Sequence, residues 1–143
     1  MPTRRAQATW KGTLREGKGT FSGESGAILG DYSFGSRFGD AGGTNPEELL
    51  AAAEAACFSM ALSLALEQAG TPAEQVETRA ACTIEKVADG FAITTMHLTC
   101  VARVPGADRD TFKDIAEATK AACPISKVML GNVALELDAR LED

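Results

Sequence analysis

The segment NPEELLAAAEAACFSMALSLALEQAG, residues 45–70, limits what this chain can fold into more than any other. It carries the marks of one long helix. Asn45 suits the N-cap, Pro46 the first helical position, and Glu48, three residues after Asn45, completes a capping-box pattern. Gly70, with Pro72 behind it, supplies the stop. Between Ala55 and Leu66 there is no charge, and residues 49–66 are apolar on almost every side. A helix without a polar face is expected to be buried on several sides. Its uncharged run is about a dozen residues, short of the roughly 20 that span a bilayer.

The flanking segments read as strands and shorter helices. AQATWKGTL followed by REGKGTFSG predicts an N-terminal hairpin with Gly17 and Gly19 near the turn, and DYSFGSRF predicts a further short strand. GDAGGTNP is a loop into the long helix. VETRAACTIEKV and FAITTMHLTCVARV form two strands joined at ADG, a hairpin signal. Alternation puts Val76, Ala80, Cys82 and Ile84 on one face of the first strand. It puts Met96, Leu98, Cys100, Ala102 and Val104 on one face of the second. A helix over about 110–122, a short one in PISKVMLG, and a strand in NVALELDARLE with Val133, Leu135, Leu137, Ala139 and Leu141 inward complete the chain. The order ββ(β)–α–ββ–αα–β is an α+β layout with a mostly antiparallel sheet and a long buried central helix. At 143 residues the expectation is one domain, 1–143.

A net charge of -6 and a pI near 4.8 argue against nucleic acid or a membrane surface as partner, since both select clustered Lys and Arg. MPTRRAQATW has no apolar segment behind its arginines, so no secretory leader is expected. A cytoplasmic, reducing setting follows, in which the four cysteines are thiols rather than a disulfide framework.

The four thiols differ in setting. Cys82 and Cys100 lie on inward strand faces and read as small core residues. Cys123 precedes Pro124, where one helix ends and the next begins, and the unpaired N–H groups there favour a thiolate. Cys57 is about twelve residues into its helix, beyond reach of that helix's own N-terminus. From the helix alone, its plainer reading is core filler, because burial leaves a thiol neutral. To be reactive it needs a cation, best an arginine, which stays charged when desolvated. Arg37 in FGSRFGD is the first candidate and Arg15, near the hairpin turn, the second. Such an arginine would be oriented by a carboxylate. Glu48 is engaged in the cap, which leaves Glu47. Glu47 and Cys57 are ten residues apart, about 15 Å along one helix, too far to share a contact unless an intervening arginine spans much of the gap, whereas two copies packed antiparallel would bring one chain's Glu47 near the other's Cys57. A homodimer with composite sites is therefore expected.

Other chemistries fit poorly. The strand cysteines face away from His97, so no zinc site is expected and His97 reads as an exposed strand residue. No C-x-x-C opens a helix, as a thioredoxin-like oxidoreductase would require. Ser59 and Ser63 lack a G-x-S-x-G context.

GTNPEELLAAAEAACFSMALSLAL, together with AACPISKVMLGNVALEL some sixty residues later, closely resembles the OsmC/Ohr family of thiol-dependent peroxidases. WKGTLREGKGTFSGESG and SRFGDAGGTNPEEL resemble its OsmC branch. The resemblance implies an OsmC-like fold, an intertwined homodimer with two interface sites, and reduction of organic hydroperoxides. By motif it makes Cys57 the peroxidatic cysteine, Cys123 the resolving one, Glu47 the orienting carboxylate and Arg37 the arginine. Ohr-type members place theirs nearer the hairpin, which keeps Arg15 as the alternative. It further implies a sulfenic acid at Cys57, a Cys57–Cys123 disulfide, and recycling by an external dithiol such as a lipoylated protein. No metal, haem or flavin is required. Phe34, Phe38, Phe58 and Met60 would favour alkyl or lipid hydroperoxides over hydrogen peroxide. The rival expectation is a dimeric, non-enzymatic binding protein for a small apolar ligand.

Overall fold

The computed structural model describes all 143 residues. They run β1 (Ala6–Lys11), β2 (Lys18–Gly23), β3 (Leu29–Tyr32), α1 (Phe34–Phe38), α2 (Pro46–Gln68), β4 (Gln75–Val87), β5 (Gly90–Arg103), α3 (Arg109–Ala122), α4 (Pro124–Met129) and β6 (Ala134–Leu141). The chain clusters into two compact units, Met1–Leu49 and Leu50–Asp143.

In the first unit β1, β2 and β3 form an antiparallel sheet, with Ala6 opposite Gly23 and Gly19 opposite Tyr32. Tyr32 packs between Trp10 and Phe21, at ring-centroid distances of 5.5 and 6.0 Å. Gly19 makes room for this: a Cβ there would come within 2.4 Å of the Tyr32 ring. The strand expected over DYSFGSRF is shorter than the sequence suggested, because only Asp31 and Tyr32 belong to β3 and Phe34–Phe38 is helical. Ser33 is the reason. Its hydroxyl accepts from the Ser36 N–H at 3.1 Å while the Ser36 hydroxyl accepts from the Ser33 N–H at 2.8 Å, a reciprocal cap that starts a helix. Asn45 caps α2 as expected, its Oδ1 accepting from the Glu48 N–H at 2.8 Å. The second half of that box is different: the Glu48 carboxylate accepts from the Thr44 hydroxyl.

In the second unit β4 and β5 pair antiparallel from Gln75–Arg103 to Val87–Gly90, with a bulge between Thr83 and Ile84. β6 lies parallel to β5, because the chain crosses back through α3 and α4 before re-entering the sheet. The inward faces are those that alternation predicts. Met96, Leu98, Cys100 and Ala102 of β5 meet Phe112 and Ala116 of α3, Met129 of α4, and Phe58, Leu62 and Leu66 of α2. The α2 residues recur every fourth position, and Glu54 extends the same stripe.

The other side of α2 is uncovered in the single chain. Ala52, Ala53, Ala56, Met60 and Leu64 are exposed there, Met60 at 80% and Leu64 at 54%. Over its full 23 residues α2 is long and apolar enough to cross a bilayer by length and composition, which its uncharged run alone did not indicate. In this fold its Phe58–Leu62–Leu66 stripe is core.

Candidate active site

The candidate site residues form two constellations, one in each unit. In the second unit the Sγ atoms of Cys57 and Cys123 lie 2.8 Å apart, both as free thiols. Cys57 is half-buried on α2; Cys123 is 1% exposed. Cys123 closes α3 and precedes α4, with φ -55° and ψ 130°, the extended backbone that Pro124 imposes on its predecessor. The chain bends there, and its bend carries the thiol onto α2.

The Cys57 thiol is pushed above its ordinary value. Desolvation is the main cause, and the Cys123 contact and the negative charge of Glu54 act in the same direction. One contact opposes them: the backbone N–H of Ile125, in the first turn of α4, hydrogen-bonds the sulfur and favours the thiolate. The long helix gives Cys57 no such help, but a neighbouring helix does. That contact was not legible in the sequence.

Beside the thiols runs a second cross-link. The Ser126 hydroxyl donates to Glu54 Oε1 at 2.5 Å, and Glu54 Oε2 has no partner. Both residues are fully enclosed. Burial raises the Glu54 carboxyl, and the Ser126 bond offsets part of that rise. Sequence reasoning passed over this pair, although Glu54 is the one charge in the apolar run 49–66 and stands one turn before Cys57.

In the first unit Arg37 clasps Glu47. Its Nε lies 3.2 Å from each carboxylate oxygen, and its Nη2 lies 2.7 Å from Oε1. Glu47 is 6% exposed and sits in the first turn of α2. The Arg37 guanidinium lies 5.4 Å from the centroid of the Phe38 ring, and that of Arg15 lies 4.8 Å from the Phe34 centroid. The two rings are 5.1 Å apart, and with Trp10, Leu14 and Tyr32 they line a surface pocket that includes Arg37.

The structure thus brings Cys57 to Cys123, Arg37 to Glu47, and Phe34 to Phe38. Phe58 is enclosed in the core at 0% exposure rather than lining an open wall, and Met60 faces outward. Cys82 and Cys100 stay on the sheet's inward face. His97 pairs with Glu136 at 2.9 Å on the outer face, and no cluster of three His, Cys, Asp or Glu side chains is placed to hold a metal.

Residues 39–138, which include both Cys57 and Cys123, match the family model described as OsmC-like protein. The chain belongs to the OsmC family. This OsmC-family chain is 46% identical over 134 residues to Peroxiredoxin OsmC of Escherichia coli (strain K12), covering 93% of the chain and 94% of that relative. It is 34% identical over 99 residues to the organic hydroperoxide resistance protein OhrB of Bacillus subtilis (strain 168), covering 68% and 71% of the two. The crystal structure of Bacillus subtilis OhrB superposes with a TM-score of 0.72 at 26% identity, covering 95% of this chain and 98% of that one.

Proposed function

We propose that this OsmC-family protein is a thiol-dependent peroxidase that reduces organic hydroperoxides to alcohols. The observation that carries the reading is the contact of the Cys57 and Cys123 sulfurs at 2.8 Å between two different helices. Core cysteines have no need of each other; a peroxidatic and a resolving pair does. The names of the Escherichia coli and Bacillus subtilis relatives, a peroxiredoxin and an organic hydroperoxide resistance protein, agree with it.

The half-buried Cys57 attacks as a thiolate on the terminal oxygen of ROOH. The O–O bond breaks, ROH leaves after protonation of the alkoxide, and Cys57 becomes a sulfenic acid. Cys123 then displaces the hydroxyl as water and closes a disulfide. An external dithiol, of which a lipoyl group is one, reopens it by exchange. Because burial works against the thiolate, the site requires a cation, and the oriented Arg37–Glu47 pair is the one suited to it. The same guanidinium stabilises the developing alkoxide.

The reading includes a homodimer. The uncovered stripe Ala52, Ala53, Ala56, Met60 and Leu64 suits a second copy of α2, and that packing would present one chain's Arg37–Glu47 pair to its partner's Cys57. The Phe34–Phe38 pocket beside Arg37 would take the alkyl portion of the hydroperoxide. The test is steady consumption of cumene hydroperoxide with dihydrolipoamide as reductant. Turnover by wild type and none by C57S supports the reading; intact thiols after exposure to hydroperoxide favour a binding protein.

A further inference from the structure

Glu54 has no part in the scheme above, yet it is the least comfortable side chain in the second unit. It is a carboxyl at 0% exposure with one hydrogen bond and one orphaned oxygen. An unpaired buried carboxylate costs several kcal/mol, so a purely structural glutamate would be replaced at little loss by an apolar residue. Its placement suggests a use. Glu54 and Cys57 are one turn apart on α2, at the spacing that sets side chains about 5–6 Å from each other. Cys123 and Ser126 are equally spaced across the start of α4. The two helices meet through two rungs, Cys57–Cys123 and Glu54–Ser126, at 2.8 and 2.5 Å. The carboxyl therefore stands one rung from the thiol pair, near enough for its charge to act on Cys57.

Few other groups compete with it. On the elements packed here the enclosed or partly enclosed ionisable groups are Cys57 on α2, Cys123 before α4, Lys120 of the Glu117–Lys120 ion pair on α3, and Cys82 and Cys100 on the sheet's inward face; Glu47 is held by Arg37, and the other charged residues of α2, α3 and α4 are exposed. None is ion-paired to Glu54.

We propose that Glu54 is the proton relay of disulfide closure, an inference that rests on the peroxidase reading. The Glu54 carboxylate takes the proton of the Cys123 thiol, and the Cys123 thiolate attacks Cys57 Sγ. The S–S bond forms, the S–O bond of the sulfenic acid breaks, and the same proton passes from Glu54 to the departing hydroxide, which leaves as water. Sulfur of Cys123 is oxidised, sulfur of the sulfenic acid is reduced, and Glu54 returns to its starting state. Burial suits the group to this work, because a carboxyl raised above its ordinary value is a stronger base than an exposed one. Ser126 orients it, holding Oε1 and leaving Oε2 to move the proton.

The test follows reduced protein mixed with one equivalent of cumene hydroperoxide, reading sulfenic acid by dimedone capture and closure by mass spectrometry, from pH 5 to 9. E54Q keeps the shape and an acceptor for Ser126 but moves no proton. Its closure is expected to slow about 10²-fold and lose the rise with pH, with Cys57 dimedone adduct accumulating. Iodoacetamide alkylation of Cys57 in E54Q should meanwhile become faster at a given pH, because the neighbouring negative charge is gone. A structural role would slow both together, and that outcome overturns the proposal. E54D should recover part of closure and of its pH rise. S126A should keep the rise but shift it to higher pH, since the Ser126 bond is what lowers the carboxyl. Closure of E54Q at the wild-type rate and pH profile also overturns the relay and leaves the peroxidase reading intact. Wild type that forms no sulfenic acid overturns the peroxidase reading itself.

Discussion

The sulfurs of Cys57 and Cys123 touch at 2.8 Å although 66 positions separate them in the chain. The contact needs both a helix interior and a bend before Pro124, and the proposed scheme gives the two thiols different duties. C57S should lose all turnover. C123S should consume about one equivalent of hydroperoxide per chain and stop at the sulfenic acid, seen as a single dimedone adduct by mass spectrometry. Normal turnover by C57S would reverse the assignment.

The clasp of Arg37 on Glu47 predicts how Cys57 titrates. R37A removes the cation proposed to hold the thiolate, so the pH midpoint of Cys57 alkylation should rise and the rate at pH 7 should fall about tenfold or more. E47Q leaves Arg37 present but loosely held and should have a smaller effect. R15A is the comparison, since Arg15 lies over Phe34 rather than on Glu47. A larger shift in R15A than in R37A would move the role to the hairpin arginine.

Glu54 also leaves a mark on stability. Its carboxyl is raised in the folded state by burial, so the folded protein resists ionising it. The associated stability is fully present below the ordinary glutamate value of 4.5 and is lost as pH rises through the higher folded value. Urea denaturation across pH 4–8 should therefore show wild type losing stability relative to E54Q with rising pH. A constant difference between the two would contradict the burial of the Glu54 carboxyl.

Much of this architecture is legible in the sequence, and the exceptions share one cause. The long helix announces itself through Asn45, Pro46 and Gly70, and the alternation in β5 and β6 places Met96, Leu98 and Leu137 correctly on the inward face. Both depend on neighbours within a few residues. The short helix α1 was hidden because Ser33 and Ser36 cap each other, an arrangement that a strand-like composition conceals. The parallel pairing of β6, the Ile125 N–H on Cys57 and the Ser126–Glu54 bond are contacts between distant segments. Glu54 did leave a signal, a lone charge on an apolar stripe, and such a residue next to a candidate nucleophile merits scrutiny.

The uncovered stripe on α2 makes the assembly testable. Placing charge on it, as in M60K or A56E, should convert a dimer to a monomer in light scattering and abolish hydroperoxide turnover with the fold retained. Retained turnover by a monomer would show that one chain completes its own site.

Core packing gives a separate check on the fold. Phe58 and Leu62 are wholly enclosed, so in urea unfolding F58A should cost about 3–5 kcal/mol and L62A about 2–5 kcal/mol, as large-to-small core changes do. M60A, on the outer side of α2, should cost far less in the monomer.

The most direct measurement is a count of free thiols before and after one equivalent of cumene hydroperoxide, with peptide mapping of the product. The account predicts the loss of two thiols per chain and a single new disulfide joining Cys57 to Cys123, while Cys82 and Cys100 remain reduced. Four thiols surviving the treatment, or a disulfide between any other pair, would contradict it.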